Sequence, residues 1–422
     1  MMEHDQPRPM TFLILSDLHF GALSVCKEFA PSNDPPPGVM SGAVSMKESL
    51  VKVAAKENID AILVSGDLTS KGSPEEFVGC LSTLNDIAVS LDVCSSRVIY
   101  TYGNHDVDWH ISRIPAESST PDIKDLYLKV GASVGDIVLP KFHYKDKGPV
   151  PGCGLVEAEG LRIYVVNSGY YCSHDQEYKH GKLGDQHRVW IEQHLGHSLE
   201  SDKWHVMLLH HHPYNYCYPF EVEDISCLEE GAFLIDLIGK SGVDLVCHGH
   251  RHHPILFTEM RTGWVSPVTL LCAGSLAVNE QHRCKGEIPN LFHIVSLEKR
   301  LKNRAAVGRV KSFQYSSAVG WQSVCYTPCV PLDAERRFAD VYDFKRREDD
   351  IKGVIDSCIT GSGEQIFELP QYDDLPLSLQ CMSFKELNDM LRTNLSRLGM
   401  KNIGEFPNSV MVRSYGNARS SQ

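Results

Sequence analysis

Phe12-Leu13-Ile14-Leu15-Ser16-Asp17-Leu18-His19 is a run of apolar residues that ends on an acid and a histidine, and the same design recurs downstream. Ala61 to Val64 leads into Gly66-Asp67, and Val98 to Tyr102 leads into Gly103-Asn104-His105-Asp106. Each run has strand length. Helix-compatible stretches lie between them, around Met46 to Glu57 and Pro74 to Leu91, so this part of the chain reads β-α-β-α-β. That alternation implies parallel strands, whose carboxyl-end loops gather along one sheet edge. Asp17, Asp67 and Asn104 each occupy such a loop and can converge from distant positions.

From Trp109 to Gly160 the periodicity breaks, with Pro115, Pro121, Pro140, Pro149 and Pro151 punctuating it, which reads as an insertion able to roof a site. Patterning resumes with a strand at Leu161 to Asn167, a helix near Gln186 to Leu195 and a strand at His205 to Leu209. A helix near Leu228 to Lys240 and a strand at Val243 to Cys247 follow. These last two strands lead to His210-His211-His212-Pro213 and to Gly249-His250-Arg251-His252. Strands at Val268 to Cys272, Leu291 to Leu297 and near Val307 to Gln314 are expected to complete a second sheet. A domain over residues 1–330, with 109–160 inserted, therefore precedes a C-terminal extension over 331–422. In the extension, charged clusters at Arg336-Arg337 and Lys345 to Asp350 are followed by a linker-like stretch near Gly361 to Gly363. Ser383 and Glu386 form a capping box, and Leu387, Met390, Leu391, Leu395 and Leu398 make one apolar stripe ending at Gly399, the pattern of a helix packed on its own domain.

The chemistry lies in the strand-end blocks. Asp17 and His19 are two apart, so both side chains can leave a strand end on one side and chelate one ion. His250 and His252 repeat that spacing. Asp67 follows a glycine, whose compact backbone lets a short carboxylate reach inward and bridge two ions. Asn104 offers an amide oxygen, while His105 points elsewhere as a proton donor to a leaving oxygen, with Asp106 orienting its imidazole. Of His210 to His212 only one or two can face the site, because adjacent residues alternate; His211 is the favoured choice and His210 the alternative. Carboxylates, an amide oxygen and imidazoles can together hold two divalent ions that activate a water and clamp a phosphoryl group. Singly, Asp-x-His or Gly-Asp is an ordinary turn; five blocks in order, all at strand ends, are not. His110, His143, His174, His180, His187 and His282 read as surface or core histidines.

Composition narrows the partners. Among 422 residues, 41 Lys and Arg face 54 Asp and Glu, a net charge of -13 that supplies no general basic footprint for nucleic acid or an anionic membrane. No window approaches the roughly 20 consecutive apolar residues of a spanning helix. The polar, Pro-bearing start from Met1 to Met10 lacks the apolar stretch of a signal peptide, and the expectation is a soluble, cytoplasmic protein. The 14 cysteines are scattered from Cys26 to Cys381, with Cys247 and Cys272 in apolar strands where a buried thiol is ordinary. Cys325 and Cys329 lack a second pair to complete a zinc site.

Taken together, Asp17-x-His19, Gly66-Asp67, Gly103-Asn104-His105-Asp106, His211-His212-Pro213 and Gly249-His250-x-His252 resemble the calcineurin-like metallophosphoesterase superfamily over about residues 11–320. Gly181-Lys182-Leu183-Gly184 running into Gln186 and Trp190, and Ala273-Gly274-Ser275 after a strand, look like its bacterial cyclic-nucleotide phosphodiesterase branch. The protein Ser/Thr phosphatase branch carries a basic element after its Gly-Asp and an Arg-Gly-Asn-His-Glu block, which this chain lacks. The resemblance implies an α/β fold, a four-layer α/β/β/α sandwich of two mixed sheets. It implies one metal on Asp17, His19, Asp67 and His252 and another on Asp67, Asn104, His211 and His250, with His105 as the catalytic imidazole. The implied cofactors are two divalent or mixed-valence ions, Mn, Fe or Zn. The implied activity is hydrolysis of a small phosphodiester, such as a cyclic nucleotide, by a metal-activated water. Two other expectations are a nuclease acting on DNA or RNA, which the acidic balance disfavours, and a non-catalytic partner-binding scaffold of the same fold, which retention of His105 disfavours. The expected substrate is a small phosphate ester with no membrane partner, and the C-terminal extension is available for oligomerisation.

Overall fold

The computed structural model describes residues 9–25, 27–29, 43–107, 144–150, 152–158, 160–172, 180–195, 203–214, 226–279, 288–298, 307–327, 329–338, 344–362, 366–408 and 410–414. The patterned opening forms β1 (Met10–Leu15), α1 (Met46–Ala54), β2 (Ala61–Val64), α2 (Pro74–Ser90) and β3 (Val98–Tyr100). Ser45 and Ser73 start the two helices by accepting the backbone N–H of Glu48 and Glu76, and Pro74 occupies the first turn of α2, where its missing N–H costs nothing. Then come β4 (Asp146–Lys147), β5 (Gly154–Ala158), β6 (Leu161–Val165), α3 (Asp185–Leu195), β7 (Trp204–Leu208), α4 (Gly231–Ser241), β8 (Leu245–His248), β9 (Ile255–Glu259) and β10 (Val268–Cys272). The domain closes with β11 (Leu291–Leu297), β12 (Gly308–Ser316), β13 (Gly320–Ser323) and β14 (Glu335–Phe338).

Two mixed sheets result. The first has the order β13-β12-β11-β1-β2-β3, with β14 also on β12; the second has the order β4-β5-β6-β7-β8-β10-β9. One expectation is corrected here: β11 and β12 finish the first sheet, not the second. β11 lies antiparallel to β1, with Ile14 opposite His293, a pairing across most of the domain that local apolar pattern cannot specify. The expected 109–160 insertion contains β4 and β5 at the edge of the second sheet, and its residues 109–143 lie outside the described residues.

Alternation along the second sheet builds the layers. Ile163, Val165, Val206, Leu208, Leu245, Cys247 and Leu271 point into the core shared with the first sheet. Their neighbours Tyr164, Val166, Met207, Leu209, Val246 and Leu270 point outward, against Trp190 and Ile191 of α3 and Leu234, Ile235 and Ile238 of α4. On the far face of the first sheet lie Met46 and Leu50 of α1 and Phe77, Leu84 and Ile87 of α2. The molecule is thus an α/β/β/α sandwich. Parallel pairing of β1 with β2, β2 with β3, β6 with β7, and β7 with β8 puts their carboxyl ends along one edge of the sandwich.

Residues 344–414 form a smaller α+β unit: α5 (Phe344–Ser362), β15 (Ile366–Glu368), α6 (Leu377–Gln380), α7 (Phe384–Arg397), β16 (Met400–Ile403) and β17 (Met411–Ser414), with sheet order β15-β17-β16. Its own core gathers Ile351, Ile355, Leu379, Leu387, Leu391, Leu395, Phe406 and Val412. The Ser383–Glu386 capping box forms at the start of α7, and Leu398 leaves the apolar stripe, half exposed, because the helix ends one residue earlier. Gly361 lies within α5 and not in a linker, while Gly363 lies outside the described residues. No helix among the described residues is long and apolar enough to cross a membrane.

The unit is stapled to the sandwich by Arg336 of β14, which donates to the carbonyls of Leu256 in β9 (3.3 Å) and of Cys381 (3.2 Å). Beside it, Asp333 accepts the Phe384 N–H at the start of α7 (3.1 Å), and its other oxygen is buried without a partner among the described residues. Burial raises this carboxyl from its ordinary 3.8 to about 6, opposed by Arg336 and the Phe384 N–H. A raised folded-state value stabilises the fold at acid pH, fully below 3.8, and that contribution is lost as pH rises through about 6. Asp333→Asn keeps the acceptor without the buried charge. In metal-free protein it is expected to unfold at higher temperature than the wild type at pH 7.5, by the equivalent of up to about 3 kcal/mol, with the difference gone at pH 3.5. Equal midpoints at both pH values in thermal unfolding would refute this.

Candidate metal centre

Five side chains meet at this edge because the backbone turns sharply just after the strands. Asp17 (φ 51°), His19 (φ 46°), Asp67 (φ 49°), His250 (φ 74°) and His252 (φ 52°) all adopt the left-handed conformation, and Asp92 is the other non-glycine residue to do so among those described. Each such residue costs on the order of 1–2 kcal/mol. The convergence of Asp17 with His19, and of His250 with His252, is therefore a product of these turns, not of the strand pleat that the sequence spacing suggests. Gly66 (φ 95°) makes the turn before Asp67 possible, and a Cβ there would also stand 2.7 Å from His210 Nδ1.

The donors fall into two groups that share one atom. Asp67 Oδ2 stands 3.5 Å from His19 Nε2 and 3.3 Å from His210 Nε2. Around the first group, His252 Nε2 is 3.2 Å from both Asp17 Oδ1 and His19 Nε2. Around the second, Asn104 Oδ1 is 2.9 Å from His250 Nδ1 and 3.1 Å from His210 Nε2. Asp17-His19-Asp67-His252 and Asp67-His210-His250 each bring their ligand atoms within 4.8 Å of one another. The other oxygens are tied down. Asp67 Oδ1 accepts the His105 N–H (2.8 Å), and Asp17 Oδ2 accepts the Ser16 hydroxyl, itself met by Ser65 Oγ (2.7 Å).

The sequence favours His211 for the second group; the structure puts His210 there. The pleat of β7 explains why. Val206 and Leu208 face the inner core, and continuing the alternation through Leu209 brings His210 inward, where its Nδ1 meets the Ser65 carbonyl (2.8 Å) and its Nε2 faces Asp67. His211 turns to the other side. Its Nδ1 lies 2.9 Å from Ser168 Oγ and its Nε2 3.7 Å from Cys172 Sγ, and its ring packs on His250 with centroids 4.5 Å apart. β7 is buried on both faces, so its apolar run carries no alternation from which to choose between the two histidines, and nothing in the sequence signals Ser168 or Cys172.

His105 is partly exposed at the edge of the site, its ring centroid 4.7 Å from that of His19. Its Nδ1 lies 3.0 Å from the Ser70 carbonyl, so it is this backbone oxygen, and not Asp106, that orients the imidazole. Asp106 holds the loops instead. Its oxygens accept the N–H groups of Leu68 (3.1 Å), Thr69 (2.9 Å) and Gly103 (2.8 Å) and the Thr69 hydroxyl (2.9 Å). Four donors on one buried carboxylate lock the turn carrying Asp67 to the turn carrying Asn104 and His105.

Charge and burial suit a cation. Burial, reinforced by neighbouring imidazoles, holds His19 and His250 well below the usual histidine range, so their lone pairs stay available. Burial opposes ionisation of Asp67, yet His210, His105 and His19 together hold its carboxyl well below the usual range. Burial likewise opposes protonation of His210, and Asp67 nonetheless draws that imidazole up to about 9. Two imidazole nitrogens 3.2 Å apart beside two carboxylates form a site that a shared cation would relieve, and its oxygen and imidazole donors match borderline divalent metals.

The calcineurin-like phosphoesterase profile matches residues 10–254, a span that contains every residue of this cluster. The chain is 24% identical over 253 residues to a "Probable cyclic nucleotide phosphodiesterase" of Rhodococcus erythropolis strain PR4, a match covering 59% of this chain and 67% of that protein. Among solved structures it is similar to a purple acid phosphatase, PPD1, from yellow lupin (Lupinus luteus) seeds, with TM-score 0.48 and 13% identity. That match covers 80% of this chain but only 55% of the lupin chain. It is also similar to Vacuolar Protein Sorting 29 from Cryptosporidium parvum, with TM-score 0.33 and 12% identity over 79% of this chain and 100% of that one. With its strand-end donors in the matched region, the chain belongs to the calcineurin-like phosphoesterase family.

Proposed function

We propose that this protein is a dinuclear metal-dependent phosphodiesterase that hydrolyses a small nucleotide diester such as a cyclic nucleotide. The observation that carries the reading is the single oxygen, Asp67 Oδ2, facing both donor groups at 3.5 and 3.3 Å. One ion would be held by Asp17, His19, Asp67 and His252, and the other by Asp67, Asn104, His210 and His250, with Mn, Fe or Zn all compatible with these donors. When bound, such a pair supplies an activated water and neutralises the phosphoryl oxygens. The nucleotide assignment draws support from the name of the Rhodococcus relative.

The chain's own residues do the rest. His105, held through Nδ1 by the Ser70 carbonyl, presents its other nitrogen for proton transfer to the leaving oxygen. Asp106 keeps His105 and Asn104 in register with Asp67 through four hydrogen bonds and needs no contact with substrate. Ser16 and Ser65 hold Asp17, so the first donor group is formed before any ligand arrives.

Three outcomes are expected. Metal-stripped wild type binds two Mn²⁺ per chain by calorimetric titration, Asp67→Asn binds neither tightly, and His210→Gln loses one while His211→Gln keeps both; the reverse pattern in the last two would return the ligand role to His211. His105→Ala keeps its metal content but loses about 10²–10⁴-fold in kcat on an unactivated cyclic nucleotide, and less on a nitrophenyl diester whose leaving group needs no proton. An unchanged kcat in the metal-replete variant removes His105 from the mechanism. Asp106→Asn, which turns an acceptor into a donor facing buried N–H groups, destabilises the fold by about 3 kcal/mol or more in urea unfolding. A variant as stable as the wild type would contradict the clamp.

A further inference from the structure

The loop after β6 carries two adjacent aromatic residues whose place is set by the site. Ser168 Oγ is bonded to both the backbone N–H (3.0 Å) and Nδ1 (2.9 Å) of His211, whose ring packs on His250. Gly169 presses on the backbone of the Asn104 turn so closely that a Cβ there would stand 2.8 Å from the Gly103 carbonyl oxygen. Cys172, beyond the pair, returns to within 3.7 Å of His211 Nε2. Tyr170 and Tyr171 are therefore pinned at both ends beside the second donor group. Two residues span at most about 7 Å, so Tyr170 cannot stray far from Ser168.

The two rings form a built surface. They meet edge to face with centroids 5.0 Å apart and an interplanar angle of 88°, and both are partly exposed. His187 of α3 backs them, its ring centroid 6.4 Å from that of Tyr170 and 5.9 Å from that of Tyr171; the residue is 1% exposed, and neither nitrogen is hydrogen-bonded among the described residues. Burial lowers this imidazole to about 4, so it is uncharged at neutral pH. Tyr171 is wedged over Gly184 at the start of α3, and Tyr170 lies on its Ser168 side, nearer in sequence to the residue that holds His211. Neighbouring cations are engaged elsewhere: Lys182 with Glu229 (3.0 Å), and the Arg188 guanidinium 4.5 Å from the centre of the Phe233 ring. The result is a pair of aromatic rings on a loop that is anchored, through Ser168, Gly169 and Cys172, to His211 and the Asn104 turn beside the proposed phosphate site. An aromatic face stacks on any nucleobase without needing its hydrogen-bonding edge.

We infer that Tyr170, supported by Tyr171 and His187, is the stacking surface for the nucleobase of the substrate and so determines specificity for nucleotide over simple diesters. The inference rests on the phosphodiesterase reading above and names the substrate group that reading leaves open. Its test uses three esters with one leaving group: thymidine 5′-p-nitrophenyl phosphate, methyl p-nitrophenyl phosphate and p-nitrophenyl phosphorylcholine, each with metal-loaded full-length protein. Tyr170→Ala is expected to lower the kcat/KM ratio of the thymidine to the methyl ester about tenfold, mainly through KM, and Tyr170→Phe to restore it. Tyr170→Leu, which keeps bulk without a π face, is expected to behave as Ala does and guards against a folding defect. An unmoved ratio, or a loss confined to the choline ester, would overturn the inference, the latter pointing to a cationic headgroup on the same rings. Absence of metal-dependent turnover of the methyl ester in wild type would overturn the phosphodiesterase reading itself, and this inference with it.

Discussion

Asp67 is a carboxylate buried to 1% exposure among imidazoles, and the structure around it is arranged so that this charge can exist there. Burying an ion without compensation costs several kcal/mol even after relaxation. Here one oxygen is met by a backbone N–H and the other by two histidine nitrogens, which suffice to keep the group ionised against its burial. The same geometry leaves Oδ2 facing two donor groups at once. Charge compensation and the proposed metal bridging thus make the same demand on one atom.

Satisfying that demand requires backbone strain, and the strain is offset by hydrogen bonds placed behind the donors. Five donor residues sit in left-handed turns that L-residues avoid. Asp106 gathers three backbone N–H groups and a hydroxyl from two of the turns, Ser70 and Ser65 offer carbonyls to His105 and His210, and Ser168 fixes the far side of His211. Side chains that never face the site carry much of its geometry. Their polar atoms are buried, so losing one partner leaves another group unsatisfied.

The sandwich serves the same end at larger scale. Two sheets with a common apolar interior place the carboxyl ends of β1, β2, β3, β7 and β8 along one edge, so Asp17, Asp67, Asn104, His210 and His250 meet across the seam between the sheets. The C-terminal unit keeps a core of its own and reaches the sandwich through Arg336 and Asp333. That core buries the stripe of α7, which is why a helix with a strong amphipathic pattern there packs within its own unit.

Strand runs, helix caps and the order of the five blocks were readable because each is a local pattern: apolar runs at strand length, Ser before a helix, Gly before Asp67, and Asn104-His105-Asp106 after β3. These determined the α/β class and the donor types, since period and capping are properties of neighbouring residues. Three things were decided only in three dimensions. β11 joined β1 across the domain, because strand pairing is settled by which buried faces fit and not by either strand's own pattern. His210, rather than His211, faces Asp67 because the pleat of β7 fixes direction, and one residue of register reverses it. Asp106 became a clamp because two of the three N–H groups it satisfies, those of Leu68 and Thr69, belong to a loop more than thirty residues away in sequence, partners that exist only once β2 and β3 lie side by side.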